Sequence, residues 1–383
     1  MRLYHMPMKR IGIFGGGQLA QMLTQAAISL GLETTIFERV PDSPAGRLTR
    51  REIVGAWDDP AALARFAAQS DLVTLENEFV DAAILAQLEA QGVPVWPASA
   101  TVAVVQDKLL QKERIAAAGL ALPPFRDVSS PEEVVAAGAV FGWPMVLKAR
   151  RNGYDGYGNA TVRHADEVAP AWERLTRNGS PLLVEAWVPF VRELAVMVVR
   201  AHDGETRAYP VVETVQRNHI CHIVRAPAPM PAAEAAAATE LALRAVEAVD
   251  GVGIFGVELF ELADGRVLYN EMAPRPHNSG HYTIEGCVTS QFENHLRAVL
   301  GWPPGPTDMR APAAVMVNLL GTYHGPVRGD VLRDALAVPG AHVHLYGKRE
   351  NRIGRKMGHI TALGATLAEA EAVARRAAEG VDI

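Results

Sequence analysis

The sequence has very little cysteine. Its 383 residues include two, Cys221 and Cys287. Two cysteines cannot build a disulfide framework, and these two are too far apart in the chain to form a zinc-binding motif. We therefore expect both to be buried thiols in a protein of a reducing compartment.

Long apolar runs are also missing. No window approaches the roughly 20 uninterrupted apolar residues that a membrane-spanning helix needs, and the opening stretch "MRLYHMPMKR" lacks the features of a signal peptide. The 37 Lys and Arg against 43 Asp and Glu give a net charge of −6, so nothing attracts the chain generally to nucleic acid or anionic membranes. These absences predict a soluble, cytoplasmic protein that binds neither nucleic acid nor membrane.

What the sequence does contain is a regular alternation over residues 10 to 100. Short β-rich runs such as "RIGIF", "ETTIFE", "DLVTLE" and "VPVWP" alternate with helical stretches, a rhythm that predicts an α/β unit with a parallel sheet. From 144 to 272 the β runs are longer and one alanine-rich helix interrupts them, which indicates an α+β block. The Pro/Gly-rich stretch "GWPPGPTDMRAP" (301 to 312) then precedes a short tail of strands and a final helix.

The first motif is the turn in "IGIFGGGQLAQML", residues 11 to 23. It has the spacing Gly15-x-Gly17-x-x-Ala20, and the acid Glu38 ends the next apolar run. Such a turn lets a phosphate approach a helix N-terminus, as in dinucleotide-binding folds. Glycine is also needed wherever a strand turns tightly into a helix, so this motif alone leaves both interpretations open.

A second motif is "LKARRNGYDGYGN", where Lys148 follows an apolar run and a glycine-rich loop comes next. A lysine on a strand beside such a loop suits phosphate binding, because the ammonium supplies charge and free N–H groups can fold over the oxygens. A plain hairpin loop is the alternative, but it does not need Tyr154 and Asp155 within it.

A third motif is the hairpin predicted in "VELFELADGRVLYNE". If Asp264-Gly265 forms a two-residue turn, Glu258 lies directly opposite Glu271, with Cβ atoms about 5 Å apart. Like charges repel at that range, and two facing carboxylates are a suitable seat for Mg²⁺. In this register Asn270 points to the opposite face, and a bulge would be needed to make it a ligand.

Two polar segments follow. "MAPRPHNSGHYTIEGC" places Arg275, His277, Asn278, Ser279 and His281 within seven positions beside the proposed carboxylate site, where cations suit an anionic substrate. Near the C-terminus, "YGKRENRIGRKMGH" concentrates five basic residues, which form either a phosphate pocket or a solvated basic face.

Together these segments resemble the ATP-grasp enzymes, and among them the N5-carboxyaminoimidazole ribonucleotide synthetases of purine biosynthesis. The similarity rests on "GGGQL", "LKARRNGYDGYGN", "NEMAPRPHNSGHYTIE" and "GRKMGH", which together extend over nearly the whole chain. The resemblance implies three domains: a Rossmann-like domain over 1–107, an ATP-grasp domain over 108–303 with a glycine-rich lid over about 130–190, and a small domain over 304–383. It also implies a homodimer.

The resemblance further implies the reaction. ATP would phosphorylate bicarbonate to carboxyphosphate, and the 5-amino group of aminoimidazole ribonucleotide (AIR) would capture the carboxyl carbon, either directly or through CO₂ released in the site. The implied cofactors are ATP and Mg²⁺ or Mn²⁺, with Glu258 and Glu271 as metal ligands. The residues implied to contact ATP are Lys108, Lys148, Gly153, Tyr154, Asp155, Gly156, Tyr157, Gly158, Asn159, Glu185, Ala186, Trp187, Val188, Glu193, Gln216, Asn270 and Glu271.

The resemblance also assigns the reacting groups. Those implied around bicarbonate and the AIR amine are Tyr154, Asp155, Arg275, His277 and Asn278, and those implied to hold AIR are Gln18, Leu19, Glu78, Ser279, His281, Lys348, Arg355 and Lys356. The sequence departs from the family in having Gln216 where a histidine is expected and His219 where glycine is usual. These departures affect the nucleotide contact of that stretch.

Three other interpretations stay open at this point. An NAD-dependent oxidoreductase would use the first glycine turn, but it leaves the Glu258–Glu271 pair without a role. Another ATP-grasp ligase acting on a phosphoribosyl substrate is discriminated only weakly, by the loop after Glu271 and the basic tail. A non-catalytic nucleotide-binding module would have no use for two opposed carboxylates and a lid.

Overall fold

The N-terminal unit is a four-stranded parallel sheet covered by helices. The structure, a computed structural model, describes residues 9–153, 158–177, 179–328 and 331–383. The sheet has the order β3-β2-β1-β4, and its strands are β1 (Arg10–Phe14), β2 (Glu33–Glu38), β3 (Glu52–Val54) and β4 (Leu72–Leu75). The helices are α1 (Gln18–Ser29), α2 (Pro60–Ala68), α3 (Ala82–Ala90) and α4 (Ser99–Gln106).

Local sequence explains most of these boundaries, with one exception. Helix α2 begins where the Asp59 side chain accepts a hydrogen bond from the Ala61 N–H at 2.9 Å, with Pro60 in the first turn. The strand predicted at "VPVWP" is wrong, because Val95 makes only an isolated bridge to Val73. Pro94 and Pro97 remove the N–H donors that a longer ladder would need.

The next unit is a small antiparallel sheet of order β5-β8-β6-β7. It follows helix α5 (Lys108–Ala117), and its strands are β5 (Phe125–Val128), β6 (Met145–Ala149), β7 (Asn159–Val162) and β8 (Leu182–Ala186). Helices α6 (Pro131–Phe141) and α7 (Val168–Thr176) pack on it through a core that includes Val134, Leu147 and Leu175.

The largest sheet has nine strands among the described residues, in the order β14-β13-β9-β11-β12-β15-β19-β17 with β10 beside β9. The strands from the central part of the chain are β9 (Phe190–Arg200), β10 (Thr206–Ala208), β11 (Val212–Arg217), β12 (Ile220–Ala226), β13 (Gly253–Leu262) and β14 (Val267–Ala273). The helices there are α8 (Ala232–Ala248), α9 (Thr283–Gly286) and α10 (Gln291–Val299).

The C-terminal residues continue this same sheet. They form β15 (Ala313–Leu320), β16 (Gly325–Pro326), α11 (Arg333–Leu336), β17 (Ala341–Leu345), β18 (Glu350–Asn351), β19 (Lys356–Gly364) and α12 (Leu367–Glu379). Strand β15 pairs with β12, β16 pairs with β18, and α12 packs through Ala370, Ala374 and Ala377 onto this end of the sheet.

Helix α10 joins the first unit to the large sheet. Its Phe292, Leu296 and Val299 pack in one core with residues of β1 and α1, and its His295 ring contacts both Thr74 of β4 and the Ile254 N–H of β13. None of the described helices is both long and apolar enough to cross a bilayer.

Candidate active site

A cleft of about 1050 Å³ opens where these units meet. The predicted residues Tyr154, Asp155, Gly156 and Tyr157 lie outside the described residues. Of the other predicted site residues, only Gly158 does not line the cleft. Those that do are Gln18, Leu19, Glu78, Lys108, Lys148, Gly153, Asn159, Glu185, Ala186, Trp187, Val188, Glu193, Gln216, Glu258, Asn270, Glu271, Arg275, His277, Asn278, Ser279, His281, Lys348, Arg355 and Lys356.

The β13–β14 hairpin places two carboxylates on the cleft, by a route that differs from the predicted one. Glu258 does pair with Glu271. The turn, however, contains three residues, since the Leu262 N–H bonds to the Arg266 carbonyl at 2.9 Å, and Gly265 takes a φ of 81°, the conformation expected where such a turn ends.

A bulge restores the register between the turn and the carboxylates. Leu259 pairs with Tyr269, so Asn270 is the extra residue before Glu271. The bulge that Asn270 needs in order to face the cleft with Glu271 is therefore present, because a bulge turns consecutive side chains toward one side. Tyr269 and Val267 lie in the core and do not line the cleft.

Three lysines lie beside this hairpin. Lys148 and Lys112 both contact the Glu185 carboxylate, at 3.0 Å and 3.1 Å, and Lys108 forms an ion pair with Glu271. Burial alone raises the pKa of the Glu185 carboxyl, but Lys112 and Lys148 lower it below its usual value. Burial and the neighbouring lysine charges lower the pKa values of Lys108 and Lys112 to about 8. Two ammonium groups share one carboxylate, which favours binding of a further anion.

The segment after β8 forms the far wall of the cleft with Glu193 and Gln216. Burial, together with the nearby Glu258 carboxylate, raises the pKa of Glu193 to about 7. The Gln216 side-chain oxygen is buried and has no hydrogen-bond partner among the described residues, so a ligand that donates a hydrogen bond would satisfy it. His219 lies in the β11–β12 turn with a φ of 63°, the left-handed conformation that glycine adopts most easily.

The loop after β14 is held by contacts from other parts of the chain. Arg275 binds Glu78 through two hydrogen bonds, at 2.5 Å and 2.9 Å. Burial raises the pKa of Glu78, but Arg275 lowers it below its usual range, so the carboxylate stays ionised. The Asn278 amide exchanges two hydrogen bonds with Asn318 of β15, at 2.9 Å and 2.7 Å.

His277 is electrically neutral in this loop. Burial, with the charges of Arg275 and Lys356, lowers its pKa to about 3. Its Nδ1 lies 2.8 Å from the Ser279 hydroxyl and accepts from the Ser279 N–H at 3.4 Å. The proton is thereby assigned to Nε2, which lies 3.4 Å from the Glu258 carboxylate. The ring therefore presents an N–H group on the side of the cleft where Glu258 lies.

The basic tail divides into two parts. Lys348, Arg352, Arg355 and Lys356 line the cleft. Arg349 points away from it and forms an ion pair with Asp42 of the first unit. Four of the five predicted basic residues therefore contribute positive charge to one end of the cleft.

The β1–α1 turn is already occupied by the protein's own carboxylates. Glu76 accepts hydrogen bonds from the Gly17 and Ala20 N–H groups at 2.7 Å and 3.0 Å, and Glu38 accepts from the Gly16 N–H at 2.8 Å. These N–H groups are the ones that bind a pyrophosphate in a dinucleotide fold. Burial raises the pKa of the Glu76 carboxyl. In either protonation state, its side chain occupies the space beside the Gly17 and Ala20 N–H groups where a pyrophosphate would have to bind.

Several residues of the site were missed by sequence reasoning. Gln111 and Lys112 of α5, Gln291 of α10 and Asn318 of β15 all hold site residues through hydrogen bonds. The i, i+3, i+4 spacing of Lys108, Gln111 and Lys112 puts them on one helix face, and that spacing could have singled out α5. Gln291 and Asn318 have no comparable signal in the sequence.

Comparisons with known protein families match three consecutive parts of the chain. Residues 8–106 match the ribonucleotide synthetase preATP-grasp domain, residues 113–292 the ATP-grasp domain, and residues 314–373 the phosphoribosylaminoimidazole carboxylase C-terminal domain. The order of these matches agrees with the predicted fold class.

Two curated relatives span nearly the whole chain. The N5-carboxyaminoimidazole ribonucleotide synthase of Mycobacterium tuberculosis (strain H37Rv) is 44% identical over 366 residues, which cover 94% of this chain and 84% of that protein. The phosphoribosylaminoimidazole carboxylase of Schizosaccharomyces pombe is also 44% identical, over 368 residues. These cover 94% of this chain but 66% of the yeast protein, so about a third of the latter has no counterpart here.

Solved structures of similar proteins have the same fold. The N5-carboxyaminoimidazole ribonucleotide synthetase of Thermus thermophilus superimposes with a TM-score of 0.88 at 41% identity, covering 97% of this chain and 99% of that one. The synthase of Aspergillus clavatus, solved in complex with ADP and 5-aminoimidazole ribonucleotide, has a TM-score of 0.89 at 36% identity and covers 97% of this chain and 98% of its own.

Proposed function

This chain belongs to the N5-carboxyaminoimidazole ribonucleotide synthases, a family of ATP-grasp ligases, and on that premise we propose how its cleft performs the family's reaction. ATP binds on the lysine side of the cleft, AIR binds at the end with the basic tail, and bicarbonate lies between them. The reaction carboxylates AIR with cleavage of ATP to ADP and phosphate.

The main support for this proposal is that two carboxylates and buried lysines lie close together in the cleft. Glu258 pairs with Glu271 across the hairpin, Lys108 contacts Glu271, and the Lys148 Nζ donates to the Asn270 side-chain oxygen at 3.2 Å. A site that combines carboxylates for a metal with ammonium groups for phosphate fits phosphoryl transfer and has no purpose in hydride transfer.

The donor set fits Mg²⁺ or Mn²⁺. No group of three or more His, Cys, Asp or Glu side chains converges on a metal site within the described part of the chain. Mg²⁺ commonly takes one or two carboxylates and completes its octahedron with phosphate oxygens and waters. Glu258 and Glu271 would hold the ion, with the Asn270 oxygen beside them. When bound, the ion would neutralise charge on the phosphates.

The nucleotide would lie between the small antiparallel sheet and the large sheet. Lys108, Lys148 and the loop from Gly153 to Asn159, whose Tyr154, Asp155, Gly156 and Tyr157 are part of this proposal, would contact the phosphates. Glu185, Ala186, Trp187, Val188 and Gln216 would lie along the adenine. Glu193 would accept hydrogen bonds from the ribose hydroxyls.

The proposed reaction has two steps. A bicarbonate oxygen takes the γ-phosphoryl group of ATP, which releases ADP and forms carboxyphosphate. The AIR amine then bonds to the carboxyl carbon, phosphate leaves, and the amine loses a proton. Arg275, His277 and Asn278 would surround bicarbonate, where the Arg275 cation and the His277 Nε2–H stabilise developing negative charge.

AIR would be held from two directions. Its 5′-phosphate would bind Lys348, Arg355 and Lys356, whose positive charges suit a dianion. The rest of the molecule would contact Gln18, Leu19, Glu78, Ser279 and His281.

We further propose domain boundaries at 107/108 and 303/304, and a homodimer.

An omission assay tests this proposal. ADP should form rapidly only when MgATP, bicarbonate and AIR are all present, because the phosphorylated intermediate is captured by the amine. ADP formation that AIR does not stimulate would contradict the proposed reaction. A variant with the exposed Arg114 replaced, Arg114→Met, should behave like the wild type.

A further inference from the structure

Strand β14 is at the edge of the large sheet, and its outer side faces helix α5. The sheet order runs β14-β13-β9, so β13 is the only strand beside β14 among the described residues. An edge strand exposes a row of unpaired N–H and C=O groups. Proteins protect such a row in several ways, one of which is to cover it with a helix or a loop.

Here one face of α5 takes the place of a neighbouring strand. Lys108, Gln111 and Lys112 contact three consecutive residues of β14: Glu271, Met272 and Asn270 respectively. The Gln111 amide oxygen accepts from the Met272 N–H at 3.0 Å, and its NH₂ group donates to the Met272 carbonyl at 3.1 Å. One side-chain amide thus satisfies both main-chain groups of the residue that follows Glu271.

Lys112 satisfies the group that the bulge leaves unpaired. A bulge removes its extra residue from the ladder, and that residue is Asn270. The Lys112 Nζ donates to the Asn270 carbonyl oxygen at 3.0 Å, and the Lys148 Nζ contacts the Asn270 side-chain oxygen at 3.2 Å. Both the main chain and the side chain of Asn270 are therefore fixed by ammonium groups.

These contacts are buried and themselves held in place. Gln111 is 2% exposed and Lys112 is 1% exposed. The Gln111 NH₂ group also donates to the Val105 carbonyl at 3.0 Å, and its oxygen accepts from the Tyr269 hydroxyl. Asp107, at the start of α5, accepts from the Leu109 N–H and binds Arg150 at 2.7 Å. The helix face cannot shift without breaking several buried bonds.

We propose that Gln111 and Lys112 are positioning residues, which hold the bulge so that Asn270 and Glu271 point to the same ligand. Without the bulge, adjacent residues of a strand face opposite sides of the sheet, and Asn270 would leave the cleft. This inference rests on the proposed function, in which Glu258 and Glu271 hold the metal ion of the nucleotide complex.

Direct binding of Mn²⁺ in the presence of ADP tests the proposal. The concentration of free Mn²⁺ is followed by electron paramagnetic resonance during titration of the 383-residue protein with MnCl₂ at fixed ADP. The Mn²⁺ that ADP binds without protein is measured separately and subtracted. Gln111→Leu and Lys112→Met should each weaken Mn²⁺ binding roughly 10- to 100-fold, the usual effect of removing groups that orient metal ligands. Arg114→Met is the matched control, because Arg114 is exposed on the same helix, and its affinity should stay within about twofold of wild type.

The two variants distinguish an effect on the geometry of the metal ligands from an effect of charge. Gln111→Leu changes no charge, and loss of the Lys112 cation would by itself favour a metal cation, so weaker Mn²⁺ binding in both variants points to geometry. Unchanged binding in Gln111→Leu would overturn the positioning role of Gln111. Gln111→Asn keeps the amide but shortens the side chain, and it replaces Gln111→Leu in the titration if Gln111→Leu does not fold. Circular dichroism at the titration temperature establishes that each protein is folded.

Kinetics give a second readout that a general loss of stability would not produce. The variants should need more Mg²⁺ for half-maximal rate, while the KM for AIR stays within about twofold. Equal Mn²⁺ affinities for wild type and variants would overturn the positioning role alone. Absence of Mn²⁺ binding in the wild type would overturn the metal site of the proposed function and the positioning role with it.

Discussion

Glu271 is the residue at which the metal and phosphate parts of the proposed site meet. It pairs with Glu258 across the hairpin and forms an ion pair with Lys108 of α5. Its carboxylate can therefore balance a lysine in the free protein and bind a metal ion when nucleotide is present. Loss of its charge should affect both the lysine and the metal.

The substitution Glu271→Gln tests this role. We expect turnover to fall by at least the roughly 100-fold seen when a metal site is disturbed, because the amide is a poorer ligand for a hard cation than a carboxylate. Steady-state ADP release under saturating substrates measures the loss. Asp264→Asn at the exposed tip of the same hairpin is the control and should keep nearly full turnover. Wild-type turnover in Glu271→Gln would remove the metal-site argument.

The same residues show where sequence reasoning succeeds and fails. The opposition of Glu258 and Glu271 was predicted from the Asp264-Gly265 turn, and the pairing is confirmed. The two-residue turn was wrong. The bulge that Asn270 requires is present, but its occurrence could not be predicted from the hairpin alone, because it depends on Lys112 and Gln111 from another part of the chain. Local turn chemistry carries no information about such distant partners.

At the scale of elements, the β1–α1 turn explains why the glycine motif misleads. Local sequence correctly predicts a strand, a tight turn and a helix, but not what binds there. Glu76 follows β4, and its carboxylate reaches the N–H groups at the start of α1. A buried carboxylate and a pyrophosphate cannot occupy that position together, since they would repel and compete for the same donors.

A comparison of thermal shifts tests this reading of the turn. MgADP should raise the melting temperature, since a ligand at 100 times its Kd stabilises the folded state by about 2.7 kcal/mol. NADH at the same concentration should produce no comparable shift. Differential scanning fluorimetry with each ligand measures this. A shift with NADH as large as that with MgADP would mean that the turn binds dinucleotides after all.

Helix α10 links the first sheet to the large sheet through a neutral histidine. The His295 Nδ1 accepts from the Ile254 N–H at 3.1 Å, and its Nε2 lies 2.7 Å from the Thr74 hydroxyl. Burial lowers the pKa of His295 to about 3. The ring therefore stays neutral in the folded protein at pH values where the unfolded chain takes up a proton.

This histidine should make the fold sensitive to acid. Because its pKa is lower in the folded state than the unfolded value of about 6.5, its contribution is complete above pH 6.5 and is lost as the pH falls toward 3, by up to about 1.4 kcal/mol per pH unit. In urea unfolding between pH 5 and 7.5, His295→Asn should be less stable than wild type at pH 7.5, and the difference should shrink on acidification. A difference that does not change with pH would contradict the assignment.

At the scale of the whole molecule, the cleft is assembled from segments that are far apart in the chain. Arg47 of the first unit donates to the Gly347 carbonyl at 2.8 Å, which brings the basic tail to the edge of the N-terminal sheet. The family resemblance anticipated this assembly, whereas composition and periodicity alone did not. They indicated the alternating first unit and the short tail, but not that β15 pairs with β12 and extends the large sheet.

Hydrogen bonds between residues that are far apart in the chain also could not be predicted from the sequence. Asn318 of β15 holds the Asn278 amide, and the fully buried Gln291 of α10 bonds to the main chain of His277 at 2.9 Å and 2.8 Å. Asparagine and glutamine have no distinctive sequence pattern in such roles, because their partners are set by tertiary packing. The residues that touch substrates in our proposal were therefore easier to predict than those that position them.

The most direct test of the central claim is whether one cleft couples ATP cleavage to carboxylation of AIR. The protein is incubated with MgATP, AIR and ¹³C-labelled bicarbonate, and the labelled carboxylate and ADP are quantified together by NMR and chromatography. We predict one ¹³C-carboxylate on the exocyclic 5-amino nitrogen of AIR for each ADP formed. ADP without labelled product, or labelled product without ADP, would contradict the account.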